Sequence, residues 1–406
     1  MKAQEILEKY GQKQLLKYKD SLSAEEYDRL IKQIETIDFS VLDELKKDRT
    51  ETLKRGLISP VPAMELDEIN QNRDRFKAIG TEALKAGKVA AVLLAGGMGT
   101  RLGSDDPKGM YNIGIDRDLY IFECQINNLL EVVHECGAYP HIFIMTSELN
   151  DEKTRKFWKE KNCFGYPEDK VTFFCQAMAP TCDYDGNVFL EAPGRVSVSP
   201  NGNGGWFVSM MNAGVYDKVK ELGIEWFNLY GVDNVCQRIC DPVFIGAVIA
   251  RKCAVGSKVV RKNDPDEKMG VMCLEDGHPS IIEYTEMTPE LRNTVDSRGE
   301  RVYNFGVILN YLFRVADLEE IIKHSMPYHI VEKKINHLGP DGEPVKPETP
   351  CGYKFEQFVL DMIRLADDCL PFEVVRDYEF APVKNRTGVD SVESARELLK
   401  KNGVTL

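Results

Sequence analysis

The chain has 406 residues, of which 43% are hydrophobic and 29% are charged, and its formal net charge is −13. This acidic balance argues against a nucleic-acid coat, because neutralising a phosphate backbone requires a basic stripe; it leaves room for a small anionic ligand held by a few local cations. No apolar run approaches the roughly 18 residues of a membrane-spanning helix, and the 11 cysteines form no C-x-x-C pair. We therefore expect a soluble cytoplasmic protein with reduced thiols and no membrane partner.

The N-terminal part of the chain, up to about residue 55, predicts helices from its near-helical apolar spacing. Ser23 is followed by Glu26 at the spacing of a capping box, which predicts a helix over 24–36. The stretch Ser59-Pro-Val-Pro62 interrupts the pattern and predicts a linker. Another helix is predicted over 66–86.

From Val89 onward the pattern changes to strands that alternate with helices. Val89–Ala95 is a continuous apolar run, typical of a parallel strand buried on both faces. The alternation predicts a doubly wound parallel sheet. Further strands are predicted at His141–Met145, Val171–Cys175 and Trp226–Tyr230, and helices at Tyr120–Cys136, 151–161 and 206–222.

Two stretches and the tail depart from this alternation. Short alternating runs at 181–199 and 256–306 predict antiparallel additions to the sheet. Within the second stretch, Ile281-Ile-Glu-Tyr-Thr-Glu286 alternates like a strand and would place Glu283 and Glu286 on opposite faces. One of these carboxylates would point into a cleft, or both would lie on a solvated edge. The tail contains one short helix from about residue 391.

A glycine-rich loop follows the first strong strand. It reads Leu93-Leu-Ala-Gly-Gly-Met-Gly-Thr-Arg-Leu-Gly103, followed by Asp106-Pro-Lys-Gly109. Such glycines let backbone N–H groups approach a phosphate, and a following helix N terminus would add positive charge. The loop fits neither the Walker A pattern nor G-x-G-x-x-G, in which Leu102 would have to be glycine. With Arg101 and Lys108 it suits several phosphates; a tight strand–helix turn is the alternative for the glycines alone.

Other candidate sites lie further along the chain. Residues 201–205, Asn-Gly-Asn-Gly-Gly, suit either a flexible hairpin loop or backbone packed against a flat ring where a Cβ would clash. Asp233 follows a predicted strand at the end where ligands of parallel sheets bind, which makes it a candidate Mg²⁺ ligand. The alternative for Asp233 is a cap of the next helix. Lys384 stands among apolar neighbours, but a lone lysine is usually solvated.

Taken together, these motifs resemble the UDP-sugar pyrophosphorylase family, most closely its eukaryotic-type UDP-N-acetylglucosamine members. The resemblance rests on the glycine loop with Pro107–Tyr111, Gln176 with Pro180, Gly202–Gly205, Gly231–Asn234, Gly270-Val, Glu283-Tyr, Asn304, Lys346-Pro-Glu and Pro382–Asn385, in family order. It runs from the N-terminal helices to about residue 390.

The resemblance implies a Rossmann-like, GT-A-like α/β nucleotidyltransferase with a mixed, mainly parallel sheet flanked by helices. It implies a helical N-terminal region (1–75), a catalytic domain (76–380) and a short C-terminal segment (381–406). It also implies that UTP and a hexose 1-phosphate react with Mg²⁺ to give a UDP-sugar and pyrophosphate. We expect a monomer or a weak homodimer.

The resemblance further implies roles for individual residues. Catalysis and phosphate binding fall to Arg101, Lys108 and Lys384, and Mg²⁺ binding to Asp233. Nucleotide binding falls to Leu94, Ala95, Gly96, Gly97, Gln176 and Gly202. Sugar binding falls to Asn203, Gly270, Glu283, Asn304, Phe358 and Leu360.

Departures from the family pattern leave the sugar open. The usual Gln of the first loop is Met98, the usual F-V-F is Phe358-Val-Leu360, and F-N-A-G-N is Tyr303-Asn-Phe-Gly-Val307. N-acetylglucosamine 1-phosphate is expected on overall resemblance, with glucose 1-phosphate or a broad sugar specificity as the alternative. Alternatives of another class are a nicotinamide-dependent oxidoreductase and a non-catalytic UDP-sugar sensor.

Overall fold

The structure, a computed structural model, describes residues 2–47, 55–324 and 326–406. By their contacts these residues form two units. The first unit consists of the described residues within Met1–Lys54, Gln176–Gly205 and Ser325–Asp361, and the second of Arg55–Cys175, Trp206–His324 and Met362–Leu406. The division into segments 1–75, 76–380 and 381–406 stays a prediction.

The second unit is built on a mixed sheet of ten strands. At its centre, Val89–Leu94 lies parallel to Trp226–Gly231 on one side and to His141–Thr146 on the other. Val171–Cys175 continues the parallel order beyond His141–Thr146. All six residues of Val89–Leu94 are buried, as a strand covered on both faces requires. The predicted parallel core is therefore confirmed.

The other half of this sheet is mostly antiparallel. Phe305–Arg314 pairs antiparallel with both Trp226–Gly231 and Val255–Arg261. The sheet is completed by Ile58–Ser59, Val271–Glu275, His278–Ile282 and Cys369–Glu373. The predicted antiparallel additions after residue 256 and the predicted mixed α/β fold class are confirmed.

The helices of this unit follow the predicted order with two breaks. They are Leu66–Gln71, Arg73–Lys85, Ile121–Cys136, Asp151–Glu160, Trp206–Asn212, Tyr216–Glu221, Pro242–Arg251, Pro289–Asn293, Val315–Ile321, Arg376–Glu379 and Val392–Lys401. The single helices predicted over 66–86 and 206–222 are wrong, since each is two helices. The second break coincides with Gly214, whose φ of 70° does not fit a right-handed helix.

Close packing joins two of these helices. An ideal Cβ on Gly80 would lie 1.9 Å from the carbonyl oxygen of Pro242, and one on Gly246 would lie 1.8 Å from that of Phe76. Glycine at both positions therefore lets Arg73–Lys85 and Pro242–Arg251 approach backbone to backbone. The predicted linker at 59–62 is wrong at its start, because Ile58–Ser59 pairs with Val271–Glu275.

The first unit combines short helices with two-stranded pairs around its own core, which includes Leu15, Leu30, Ile34, Phe39 and Phe355. Its helices are Ala3–Lys9, Ala24–Thr36 and the 3₁₀ segments Lys13–Leu16, Lys19–Ser21 and Phe39–Lys46. The strand pairs are Met178–Pro180 with Val198–Pro200, Leu190–Ala192 with Arg195–Val196, His329–Lys333 with Gly352–Glu356, and His337–Leu338 with Pro344–Val345. A further helix, Val359–Arg364, includes the last residues of this unit.

The N-terminal helix prediction is confirmed where the structure describes it. Ser23 Oγ accepts a hydrogen bond from the Glu26 amide, and the Glu26 carboxylate accepts one from the Ser23 amide at 2.8 Å. This capping box starts the helix Ala24–Thr36 at the predicted residue. The end of the predicted helical stretch, 48–54, lies outside the described residues. In the described part of the chain, no helix has the length and apolar character to cross a membrane.

Candidate active site

Three loops of the second unit carry the predicted residues Arg101, Asp233 and Lys384, and Lys108 follows the first of these loops. We call the three loops the glycine loop (96–103), the aspartate loop (232–241) and the lysine loop (381–391). The first two follow adjacent parallel strands, and the register pairs Leu94 with Gly231. Their carboxyl ends therefore meet at the same edge of the sheet, where parallel sheets bind ligands.

The glycine loop is held from behind by polar side chains that follow the next parallel strand. Asn150 Nδ2 donates hydrogen bonds to the carbonyl oxygens of Ala95 (2.9 Å) and Gly97 (3.4 Å), and Ser147 Oγ donates to that of Gly96 (3.0 Å). The Lys108 amide also donates to the Gly97 carbonyl at 3.1 Å. These bonds turn the loop carbonyls towards the protein.

The amides of the same loop face the other way. Within the described part of the chain, the N–H groups of Gly96, Gly97 and Met98 have no hydrogen-bond partner. An ideal Cβ on Gly97 would meet no atom within 4 Å, so this side of the loop is open. Successive free N–H groups beside open space are the arrangement that binds phosphate oxygens.

The helix predicted after this loop is confirmed at Ile121–Cys136, but its N terminus does not directly follow the glycines. Only the 3₁₀ turns Thr100–Leu102 and Lys108–Met110 follow, and the first α-helix begins at Ile121. A 3₁₀ turn of three residues contributes little dipole. Positive charge at the loop therefore comes from side chains.

Lys108 lies within electrostatic range of Asp233, Arg101 and Lys384. The Lys108 ammonium is 3.8 Å from the Asp233 carboxylate. Burial lowers the pKa of Lys108, Asp233 raises it, and Arg101 and Lys384 lower it further, so that the pKa lies below its ordinary value. With Asp233 beside Lys108 and Asp390 beside Lys384, three cations face two carboxylates, which leaves an excess of positive charge that a polyphosphate would neutralise.

Lys384 has a partner of its own. Its ammonium lies 2.9 Å from the Asp390 carboxylate, and the amides of Lys384 and Asn385 both donate to the Asp390 carbonyl. Asp390 has a φ of 52°, which is uncommon for a residue other than glycine. The lysine loop is therefore closed on itself by Asp390, with Lys384 partly exposed.

Asn234 joins the aspartate loop to the lysine loop. Its Nδ2 donates to the Glu379 carbonyl at 2.7 Å, and its Oδ1 accepts from the Ala381 amide at 2.8 Å. Beside it, the Val383 amide donates to the Asp233 carbonyl at 2.8 Å. These bonds fix the backbone that carries Asp233 against the backbone that carries Lys384.

The alternative assignment of Asp233 as a helix cap is wrong. The next helix, Pro242–Arg251, is capped by Asp241, whose carboxylate accepts from the Val243 amide at 3.0 Å. The Asp233 side chain is partly exposed instead. Among the described residues, no group of three or more His, Cys, Asp or Glu side chains could hold a metal. Asp233 thus fits a cation such as Mg²⁺, which takes one or two carboxylates and completes its shell with phosphates and water.

The predicted sugar residues of the second unit lie around one strand end. An ideal Cβ on Gly270 would be 3.4 Å from Glu283 Oε1, so these two residues are neighbours. Asn304 is 9% exposed, and its Oδ1 is buried without a hydrogen-bond partner among the described residues. A buried acceptor without a partner is suited to a hydroxyl or amide donor of a ligand.

The prediction that a strand over 281–286 places Glu283 and Glu286 on opposite faces is wrong. The strand ends at Ile282. The two glutamates lie in a turn in which the Glu286 amide donates to the Glu283 carbonyl and the Glu283 amide donates to the Glu286 carboxylate at 3.0 Å. Glu286 also forms an ion pair with Arg55 at 2.8 Å, which gives it a local structural role.

In the first unit, the glycines of 201–205 pack on backbone. Gly202 has a φ of +85°, and an ideal Cβ on it would lie 2.2 Å from the Gln357 carbonyl oxygen. A Cβ on Gly204 would lie 2.7 Å from Phe358 backbone atoms. These contacts exclude the flexible hairpin and account for both glycines without a ligand.

The other predicted residues of this unit lie nearby in it. Asn203 Oδ1 accepts from the Val359 amide at 3.0 Å, which ties this glycine-rich run to the start of the helix Val359–Arg364. The Phe358 ring lies 4.6 Å from the His329 ring, and Leu360 lies in the helix that follows. Gln176 is 8% exposed, and within the described residues its side-chain amide has no hydrogen-bond partner.

Comparison with known proteins decides the family. The family model described as UTP--glucose-1-phosphate uridylyltransferase matches residues 36–405. The chain is 34% identical to UDP-N-acetylglucosamine diphosphorylase 2 of Arabidopsis thaliana, over 97% of this chain and 82% of that protein. It is 33% identical to UDP-N-acetylglucosamine pyrophosphorylase of Saccharomyces cerevisiae, over 97% of this chain and 88% of the yeast protein.

A solved structure agrees with the sequence relatives. The uridine diphosphate N-acetylglucosamine pyrophosphorylase of Trypanosoma brucei superposes with a TM-score of 0.84 at 28% identity, over 97% of this chain and 83% of that one. The chain belongs to the UDP-sugar pyrophosphorylase family. It is thereby a nucleotidyltransferase, and the resemblance read from its motifs is confirmed.

Within this family fold, the sequence reasoning missed the residues that hold the loops. Ser147 and Asn150 support the glycine loop, Asn234 joins two loops, and Asp390 holds Lys384. Ser147 and Asn150 carried a readable signal, because they follow a predicted parallel strand at its ligand-binding end. Asp390 carried none, since its contact depends on the path of the loop.

Proposed function

We propose that this UDP-sugar pyrophosphorylase transfers the uridylyl group of UTP to N-acetylglucosamine 1-phosphate, releasing pyrophosphate. The observation that carries the proposal is the excess of cations, Arg101, Lys108 and Lys384, beside the free amides of the glycine loop. Two anionic substrates repel each other, and such a cluster offsets that repulsion.

The reaction needs no protein nucleophile. A phosphate oxygen of the sugar 1-phosphate attacks the α-phosphorus of UTP in line; the new P–O bond forms as the bond from the α-phosphorus to the bridging oxygen breaks, and pyrophosphate leaves with that electron pair. The protein contributes orientation and charge neutralisation. Lys108 and Arg101 bind phosphate oxygens beside the glycine loop, and Lys384 exchanges its bond to Asp390 for one to the substrate.

Asp233 is the residue that would hold Mg²⁺. The bound ion would neutralise part of the charge on the phosphates. Within the protein, the Asp233 carboxylate also raises the pKa of Lys108, against the lowering by burial. Asp233→Asn is therefore expected to weaken both the Mg²⁺ dependence and phosphate binding; an unchanged Mg²⁺ titration would contradict the ligand assignment.

We also propose which residues of each unit recognise the uridine and the sugar. In the second unit we propose Leu94, Ala95, Gly96 and Gly97 for the nucleotide and Gly270, Glu283 and Asn304 for the sugar. In the first unit we propose Gln176 and Gly202 for the uracil base and Asn203, Phe358 and Leu360 for the sugar. A side-chain amide such as Gln176 pairs with both a donor and an acceptor edge of uracil.

The choice of sugar follows the names of the sequence relatives, which are N-acetylglucosamine enzymes in plant and yeast. Glucose 1-phosphate is the second candidate, because Leu360 replaces an aromatic residue of the family pattern. A cytoplasmic location is proposed from the substrates and from the eleven cysteines, all free thiols. A monomer or weak homodimer is the proposed assembly.

The deciding experiment is Mg²⁺-dependent pyrophosphate release from UTP with the 1-phosphates of N-acetylglucosamine, N-acetylgalactosamine, glucose and galactose. ATP and dTTP serve as nucleotide controls. We expect release with UTP and the highest kcat/KM with N-acetylglucosamine 1-phosphate. A preference for glucose 1-phosphate would overturn the sugar assignment, and UDP-sugar binding without turnover of any pair would favour the sensor.

A further inference from the structure

A cavity of about 480 Å³ lies in the second unit, apart from the residues proposed for catalysis. Its walls come from the helices around Arg73, Glu131 and Leu399, from the aspartate loop, and from the segment 372–379. This volume falls in the range of about 300–1,000 Å³ that is usual for small-molecule sites. At the mouth, Tyr378 is 61% exposed and Val375 is 42% exposed, which offers an apolar approach.

One polar group in the cavity wall is left without a partner. Asn402 Nδ2 donates to the Asp377 carbonyl at 3.0 Å, but Asn402 Oδ1 is buried and has no hydrogen-bond partner among the described residues. Buried acceptors are normally satisfied, because an unpaired one loses its hydration without compensation. A ligand that presents an N–H group would satisfy it.

The charged side chains of the cavity fall into two groups. Four of them are engaged with residues outside the lining: Asp241 and Glu379 pair with Lys258, Glu373 pairs with Arg261, and Arg238 pairs with Glu135. Arg73 and Glu131 line the cavity from exposed positions, and the described residues provide neither with an ion-pair partner. An anionic group would bind Arg73, and an N–H donor would find acceptors in Glu131 and Asn402.

The cavity wall is continuous with the loops that carry Asp233 and Lys384. Cys236 and Arg238 of the wall belong to the aspartate loop, and Tyr378 and Glu379 lead into the lysine loop. Asn234 binds the Glu379 carbonyl and the Ala381 amide between them. The Arg238 carbonyl and the Glu379 carboxylate are further joined through Lys258 Nζ, at 3.0 Å and 2.6 Å.

We propose that this cavity binds a small amphipathic molecule with an anionic group and an N–H donor, and that its occupancy alters UTP binding through the Asn234 contacts. The second part rests on the proposed function. A ligand that presses on Tyr378 or Cys236 moves a segment only a few residues from Lys384 or Asp233. Thermodynamic linkage requires that UTP then changes the affinity of the cavity ligand by the same factor.

The first test uses 1-anilinonaphthalene-8-sulfonate as the probe, since it combines an aromatic body, a sulfonate and an anilino N–H. Fluorescence titration of the full chain should give saturable binding with one site per chain. Arg73→Glu should weaken it about tenfold or more by reversing a charge next to the sulfonate. Arg75→Glu is the matched control, an exposed arginine of the same helix that does not line the cavity.

A second pair of variants tests the same site sterically. Val375→Trp should block the mouth and abolish saturable binding, whereas Val295→Trp, at another exposed valine, should not. Equal probe affinity in Arg73→Glu and Arg75→Glu, or full binding in Val375→Trp, would overturn the site. Because the two variants alter different walls, misfolding of one, seen by circular dichroism, leaves the other to decide.

The regulatory part is tested by repeating the probe titration with saturating UTP and Mg²⁺. We expect a shift in probe Kd of about fivefold or more, and its loss in Asn234→Ala with probe binding retained. An unchanged Kd, with UTP binding verified by calorimetry, would overturn the regulatory part. Absence of UTP binding in calorimetry would instead count against the proposed function, while the first test still decides whether the cavity binds the probe.

Discussion

Lys108 and Lys258 are two largely buried lysines of the same unit with very different surroundings. The Lys258 side chain is fully buried, and its ammonium donates to Asp241, Glu379 and the Arg238 carbonyl within 3.2 Å. The Lys108 side chain is 13% exposed, and its nearest carboxylate, Asp233, is 3.8 Å away. Around Lys108 the remaining charged neighbours, Arg101 and Lys384, are cations.

Both lysines are largely buried, so burial does not distinguish them. They differ in how many donors of the ammonium group are already used within the protein, and this number separates a structural lysine from one that can bind a ligand. An ammonium group has three donors, and Lys258 uses all three within the protein. Lys108 retains unused donors beside free backbone amides, at a place where its own burial and its cationic neighbours oppose its charge. A bound phosphate would stabilise the charged form of Lys108. Lys258 has no donor left with which to bind a phosphate.

The comparison predicts the largest effect on stability for Lys258→Met. Removing the ammonium leaves Asp241 and Glu379 buried with an uncompensated charge, which typically costs about 3–5 kcal/mol. Urea denaturation should show this loss. Lys156→Met, at a side chain that is 75% exposed, is the control and should leave the midpoint unchanged. An unaltered midpoint for Lys258→Met would show that the buried charges are compensated in another way.

Lys108→Met should affect turnover and not stability, the reverse of what we expect for Lys258→Met. We expect turnover to fall by about 10²–10³-fold, as for the loss of one transition-state charge partner. The urea midpoint should stay the same or rise, because the burial that opposes the Lys108 charge disappears. Pyrophosphate release and urea denaturation on the same preparation test both parts. Near-wild-type turnover would remove Lys108 from the mechanism.

Asn150→Ala tests whether the glycine loop needs its support. The change leaves the Ala95 carbonyl without its side-chain donor and frees the loop amides to reorient. Since a displacement of about 1 Å can cost up to 10²-fold, we expect kcat to fall about tenfold, with a smaller effect on stability. Asn127→Ala, at an exposed position of the helix Ile121–Cys136, is the matched control. Equal kcat in both variants would contradict a positioning role.

The smallest expected effect is on the pH dependence of stability and concerns His141. This buried histidine begins the strand His141–Thr146, and Asn150 follows the end of that strand. Burial and the nearby Lys218 and Lys170 lower the pKa of His141 from 6.5 to about 4. The unfolded chain therefore takes up this proton first as the pH falls, so stability is full above about pH 6.5 and declines down to about pH 4.

His141→Gln should flatten that decline, because glutamine can keep the hydrogen bond to Thr172 and carries no proton. Urea midpoints between about pH 7 and about pH 5 measure the slope. An equal slope in the variant and the natural protein would assign the pH dependence to other groups.

Much of the fold was readable from local pattern. Val89–Leu94 was predictable because a strand buried on both faces must be apolar throughout. The helix Ala24–Thr36 was predictable at its first residue from the Ser23 and Glu26 spacing. Strands such as Cys369–Glu373 were missed, since their pairing with Val255–Arg261 joins segments more than a hundred residues apart.

The amino-acid sequence by itself determined the parallel core, the family and the residues that carry charge to the glycine loop. These depend on residue type and short spacing. The tertiary structure decided which charges are satisfied: Asp233 lies beside Lys108, Asp241 caps a helix and binds Lys258, and Glu286 closes a turn with Arg55. The physical reason is that a carboxylate or an ammonium has the same chemistry everywhere in the sequence, and only the folded chain determines how many partners it has.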